Sequence, residues 1–273
     1  MMTIWMRADR VRWFVAVATL VALSWGHSQV TAAPEPGAAV PILVELFTAE
    51  GCSSCPPADV LLDKMLAAQP ASGALLIGLG EHVDYWDNLG WKDRFSSAKL
   101  TARQQGYAAR FKTGDVYTPQ MIVDGREAFV GSDLNAARRA IESASALPHG
   151  VIHAAIETST GNTLAVSVAA TQLPPVTPGD HAEIVVAIIE DGLRTEVKRG
   201  ENQGRTLTHA AVVRTLQVIG EASGDASTSR ARFTLSSDWR RDSLKIVAFA
   251  QERGSRRVLA TVALAVAAHQ AAP

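Results

Sequence analysis

Apolar and polar positions follow two different rhythms along this chain, and the change falls near residue 148. Before it, unbroken apolar runs alternate with helically spaced segments. Residues 41–47 read as a strand and 58–66 as a helix behind Pro56-Pro57. Residues 75–79 read as a buried strand. Residues 97–111 read as a helix, with Leu100, Gln104, Tyr107 and Phe111 at helical intervals. Residues 121–125 read as a strand entering a turn, and 133–146 as a helix with Asp133 as its N-cap. This alternation predicts an α/β layer.

After residue 148 the helical period fades. Alternating, β-branched stretches predict strands over 151–158, 163–170, 182–190, 212–219, 231–235, 244–250 and 258–265. The last is alanine-rich enough to read as a short helix instead. Turn-rich segments separate them, including Gly161-Asn162 and the proline-rich 171–180. This pattern predicts a β-sandwich-like domain. No internal repeat is evident.

The chemistry concentrates in Cys52-Ser53-Ser54-Cys55, which holds the only two cysteines of the chain. They lie between a strand and a helix, which predicts Cys52 at the helix N-terminus. There the dipole and free N–H groups stabilise a thiolate. Cysteines at i and i+3 can close a small disulfide and suit reversible dithiol chemistry. Zinc is the weaker reading, because a second Cys-x-x-Cys pair is absent and the seven histidines form no compact pattern. A purely structural disulfide is the other alternative, although so short a loop removes little unfolded-chain entropy.

The N-terminus fits an oxidising destination. Arg7, Arg10 and Arg12 precede an apolar run, Trp13 to Trp25, and small residues follow at Thr31-Ala32-Ala33. Residues 1–33 thus read as a signal peptide rather than an uncleaved anchor. A periplasmic or secreted protein with no stable membrane span after cleavage is expected. Removing Arg7, Asp9, Arg10 and Arg12 leaves 23 basic and 26 acidic residues. No basic block remains, so nucleic acid is not an expected partner. The 47% apolar content argues against global disorder.

The first half resembles the thioredoxin fold. The matching residues are Leu43 to Pro56, with the two cysteines, and Tyr117-Thr118-Pro119-Gln120-Met121-Ile122-Val123-Asp124-Gly125. The resemblance implies a cis Thr118–Pro119 bond, with Pro119 lying against the cysteine pair and shaping a substrate groove. One departure stands out. Thioredoxins keep a buried aspartate in the strand before the motif, and a gapless match puts Leu46 there. Glu45 is one residue away and, by alternation, faces the other side unless a bulge turns it inward.

The whole chain resembles more closely an exported bacterial family, domain of unknown function 1223. That likeness rests on Glu45-Leu46-Phe47-Thr48 with Gly51 to Asp59, on His82-Val83-Asp84-Tyr85-Trp86-Asp87 with Gly90-Trp91, and on Tyr117 to Met121. It continues through Arg199-Gly200-Glu201-Asn202 and Leu207-Thr208-His209 to Arg214, and spans about residues 40–265. It implies a thioredoxin-like α/β domain over 40–148, followed by a β-sandwich-like domain over 149–266, α+β overall. It carries no known substrate.

The expected activity is thiol–disulfide exchange on a protein or low-molecular-weight thiol or disulfide. Cys52 would be the exposed, more acidic nucleophile and Cys55 the resolving thiol, with no dissociable cofactor. His82 follows the second strand, where it could tune the thiolate. Tyr85 and Trp86 could wall a peptide groove. Glu201, Asn202, His209 and Arg214 read either as ligand anchors or as hydrogen-bonded ties of a long loop. The alternatives are a non-catalytic envelope binding module and soft-metal handling of copper by the cysteine pair.

Overall fold

The computed structural model describes residues 1–2, 39–69, 73–222 and 226–266. The signal peptide expected over 1–33 lies, beyond Met2, outside the described residues. The described residues from Ala39 onward belong to one compact unit.

Its first part runs β1 (Val40–Thr48), α1 (Pro56–Ala68), β2 (Ala74–His82), α2 (Ala98–Phe111), β3 (Gln120–Val123), β4 (Glu127–Val130) and α3 (Leu134–Ser145). The second part is nearly all strand. It runs β5 (Val151–Thr160), β6 (Thr163–Thr171), β7 (Ala182–Glu190), β8 (Leu193–Glu196), β9 (Thr206–His209), β10 (Val212–Ala222), β11 (Ala226–Thr234), β12 (Leu244–Glu252) and β13 (Val258–Ala265). Among the described residues no helix is long and apolar enough to cross a membrane.

Local chemistry sets the helix ends. Pro56 and Pro57 occupy the first turn of α1, where a missing N–H costs nothing. Ser97 caps α2, its hydroxyl accepting from the Lys99 N–H at 3.2 Å. Asp133 caps α3 by accepting from the Ala136 N–H at 2.9 Å.

Eight strands form one sheet, in the order β13-β12-β7-β10-β2-β1-β3-β4. The chain therefore does not divide into two sheets at residue 148. The junction is narrow: β10 runs parallel to β2 with a single residue pair, Val212 opposite Gly80. The Gly80 N–H donates to the Ala211 carbonyl at 2.7 Å. A Cβ on Gly80 would stand 2.8 Å from the Ala210 carbonyl oxygen, so only glycine lets the two backbones meet there.

Strand alternation then assigns the layers. Ile42, Val44 and Leu46 of β1 pack with Ala58 and Leu62 of α1 and with Ala137, Ala140 and Ile141 of α3. Leu43 of β1 faces the other way and shares a core with Leu100 of α2, Val185 of β7 and Phe249 of β12. The opposite faces of β7 and β12, with Ile184, Val186 and Ile246, are covered by a three-stranded sheet in the order β11-β6-β5. Those two sheets pack face to face in the C-terminal half. β8 and β9 form a separate hairpin, and its loop reaches the cysteines.

Candidate functional site

The sharp turn after β1 brings Cys52 and Cys55 into a disulfide, with their Cα atoms 5.4 Å apart. The Cys55 N–H donates to the Cys52 carbonyl at 3.2 Å. The helix starts at Pro56, two residues before the predicted 58–66, and Cys52 is not at its N-terminus. Cys55 is its N-cap and Pro56 its first residue, so Cys52 precedes the first helical residue by four positions. The reason lies at the other end of the turn: the Cys55 carbonyl already accepts from the Ala58 and Asp59 N–H groups, while Cys52 is spent on closing the turn.

A second correction concerns access. Cys52 was expected to be the exposed member, yet both cysteines are 0% exposed. They sit in an apolar cluster with Phe47, Val83, Tyr107 and Ile122, against which Tyr85 and Trp86 pack from the rim. Only Ser53 and Ser54 of the motif are exposed. The Ser54 hydroxyl lies 3.4 Å from the Cys52 sulfur.

The cover on the other side is the loop 197–205 between β8 and β9. Asn202, fully buried, donates its side-chain amide to the Glu50 and Cys52 carbonyls, each at 2.9 Å. Glu201 accepts from the Ser53 N–H at 3.1 Å. Glu201 and Asn202 thus act as hydrogen-bonded ties of their loop, with the motif itself as the anchor point.

Thr118–Pro119 is cis, as the thioredoxin likeness implies. The next residue, Gln120, pairs with Phe47 of β1, and the Trp86 indole donates to the Thr118 hydroxyl at 2.8 Å. Pro119 lies beside Gly131, whose missing side chain leaves room between Leu46, Ala58 and Pro119. His82 is buried at the end of β2. Its Nδ1 is 2.6 Å from Asp93 Oδ2, and its ring stands edge to face with His209 at 4.8 Å. Its bonding partner is thus a carboxylate rather than either sulfur.

Beneath the motif lies a charge cluster that single-sequence reasoning did not assemble. His209 stands between Glu50, 3.4 Å from Nε2, and Asp59, 4.0 Å from Nδ1. Glu50 precedes Cys52 by two residues, and Asp59 lies one helical turn past Cys55. Neither contact is an aligned hydrogen bond, and both His209 nitrogens and Glu50 Oε1 are buried without one. The Trp91 indole donates to the other Glu50 oxygen at 2.7 Å. Burial works to lower the His209 pKa, but Asp59 and Glu50 override it and raise it to about 9. Burial likewise opposes ionisation of Asp93. Its bond to His82 and the N–H groups of Glu50 and Phe95 win, and hold its pKa below the usual carboxylate range.

A second cluster occupies the sheet face that carries α2. Glu45 faces away from Leu46 without a bulge, since β1 keeps continuous register with β2. It is fully buried and bonded to the Arg103 Nε at 2.7 Å and to the Tyr107 hydroxyl. Arg103 also reaches Glu81 at 3.3 Å and Gln251 of β12 at 3.0 Å. Burial, then the charge of Glu45, pushes the Glu81 pKa well above its ordinary value. Among the described residues no group of three or more His, Cys, Asp and Glu side chains is arranged to hold a metal ion.

Comparisons with known proteins set this site in context. The structure is similar to an X-ray crystal structure of a protein from Agrobacterium tumefaciens. That match has 27% identity and a TM-score of 0.62, over 83% of this chain and 94% of that one. It is also similar to HBP35 of Porphyromonas gingivalis, with 12% identity and a TM-score of 0.60, over 84% and 76% of the two chains. The second likeness concerns the fold alone. No curated protein matches the chain. A family model described as protein of unknown function (DUF1223) matches residues 43–251, and the chain belongs to that family.

Proposed function

We propose that this protein is an exported, thioredoxin-like thiol–disulfide oxidoreductase acting through Cys52 and Cys55. The observation that carries the reading is the pairing of the chain's only two cysteines at a strand-to-helix turn, between Glu50 and Asp59, the two carboxylates that flank the buried His209. A four-residue ring stabilises a fold less than a long one, which favours a chemical role. The basic, apolar and small-residue pattern of residues 1–33 supports export, where such a bond persists.

The exchange balances as follows. A thiolate of a substrate dithiol attacks the Cys52 sulfur, breaking the Cys52–Cys55 bond, and Cys55 leaves with the electron pair and takes up a proton. The second substrate thiolate then attacks its own sulfur in the mixed disulfide, and Cys52 leaves. The substrate is oxidised by two electrons, and the protein pair is reduced. The reverse sequence reduces a substrate disulfide.

Complete burial of both cysteines favours one competing reading, a binding module that keeps the disulfide as a fixed brace. Titration of the folded protein in glutathione or dithiothreitol redox buffers separates the two. A reversible two-electron transition with the fold retained supports the oxidoreductase. A disulfide that opens only with unfolding supports the brace. A Cys55→Ser variant should then trap mixed disulfides through Cys52.

A further inference from the structure

The loop 197–205 is bonded to the main chain of the motif in a particular chemical pattern. Asn202 supplies N–H donors to the carbonyls of Glu50 and Cys52. Glu201 supplies an acceptor to the N–H of Ser53. These three main-chain groups form the hydrogen-bonding edge beside the Cys52 sulfur. The Asn202 side chain is held in turn by Arg205, which donates to its Oδ1 at 3.0 Å. Gly200, at φ 77°, lets the loop close onto Trp91, where a Cβ would stand 3.1 Å from the Trp91 Cβ. Meanwhile Glu201 itself is exposed, so the loop can be reached and lifted from its outer side.

An amide donating to carbonyls and an oxygen accepting from an N–H are what an extended polypeptide backbone offers at alternate positions. A small thiol offers neither. We infer that the loop 197–205 is a built-in cover over the Cys52–Cys55 disulfide, displaced by an extended, cysteine-bearing polypeptide whose backbone takes over the bonds of Asn202 and Glu201. This inference rests on the oxidoreductase reading and assigns that site its substrate class. A small thiol must wait for the loop to open unaided. The three hydrogen bonds hold the closed form over the open one by about ten- to a thousandfold.

The test uses the full oxidised protein, with wild type, Asn202→Ala and Glu201→Ala compared. Reduction rates are measured with dithiothreitol and with reduced, unfolded ribonuclease A, each per thiolate. In wild type the polypeptide is expected to react faster than dithiothreitol. Asn202→Ala is expected to speed dithiothreitol about tenfold, with a smaller gain for the polypeptide and an equilibrium constant changed by less than about twofold. Glu201→Ala, at an exposed position, removes only the bond from Ser53, is expected to give a smaller gain in the same direction and serves if Asn202→Ala fails to fold. Equal dithiothreitol rates in folded wild type and Glu201→Ala overturn the cover. A wild type that reacts no faster with the polypeptide overturns the substrate class. If neither reductant opens the disulfide in any folded variant, the oxidoreductase reading itself fails.

Discussion

Two buried charge clusters flank the first half of the sheet, and they are built on opposite rules. Around Arg103, charges and dipoles are joined by close hydrogen bonds: Glu45 to Arg103 and Tyr107, Arg103 to Gln251, and Gln251 to Tyr107 at 2.8 Å. Glu81 Oε2 is its one unpartnered carboxylate oxygen. Around His209 the same kinds of groups stand 3.4 and 4.0 Å apart, with both ring nitrogens unbonded. Close bonding fixes geometry and makes loss of one partner costly. Looser spacing leaves the imidazolium held by field more than by direction, so its proton can come and go with little rearrangement. The Arg103 cluster therefore acts as a clamp between the two parts of the sheet, and the His209 cluster as a charge reservoir under the disulfide.

The hardest blow to this contrast comes from Arg103→Met. It strands Glu45 and Glu81 in the interior, and a loss of about 3–5 kcal/mol in denaturant unfolding is expected. A loss under about 1 kcal/mol would equate the clamp with an ordinary surface pair. Next in size is a pH effect. The folded His209 pKa, about 9, lies above its unfolded value of about 6.5. Its stabilisation is thus complete below pH ~6.5 and is lost as pH rises through ~9, reaching about 3 kcal/mol in all. Unfolding free energies measured across that window should fall in wild type and run flatter in His209→Gln. An unchanged slope would remove His209 from the reservoir. Smallest is the disulfide. A four-residue ring accounts for about 2 kcal/mol, so the Cys52→Ser/Cys55→Ser protein should melt only several degrees lower. A collapse of the fold would make the bond a brace and blur the contrast.

Much of the architecture was legible in the sequence because each signal was local. The Asp133 cap and the apolar run of β1 acted within one turn or one strand. Val258–Ala265, open to a helical reading, is a strand because β12 pairs along its length. β4, β8 and β9 escaped notice, being four residues each and mixed in polarity. β11 starts five residues before its apolar signal, since its first half is an alternating Ser, Thr and Arg edge. At the site, the cysteines and the cis proline stood out by spacing and likeness. The burial of Cys52 did not, because Asn202 reaches it across 150 residues. Glu50, Asp59 and His209 became one cluster only when β9 met α1, and no periodicity encodes that meeting.

The Gly80 contact has a consequence for how the molecule can be handled. Strands β2 and β10 touch at one pair, so each is nearly an edge already, and each is capped by the other. Cutting the chain near residue 148 would remove that last pair, leaving the margin of β2 unpaired in one piece and the Val212 end of β10 unpaired in the other. Unpaired edges of this kind recruit strands from neighbouring molecules. The motif-bearing half would also lose Asn202, His209 and Gln251 together. What divides in the sequence as an α/β half and a β half is therefore inseparable as material: neither piece is a minimal version of this protein.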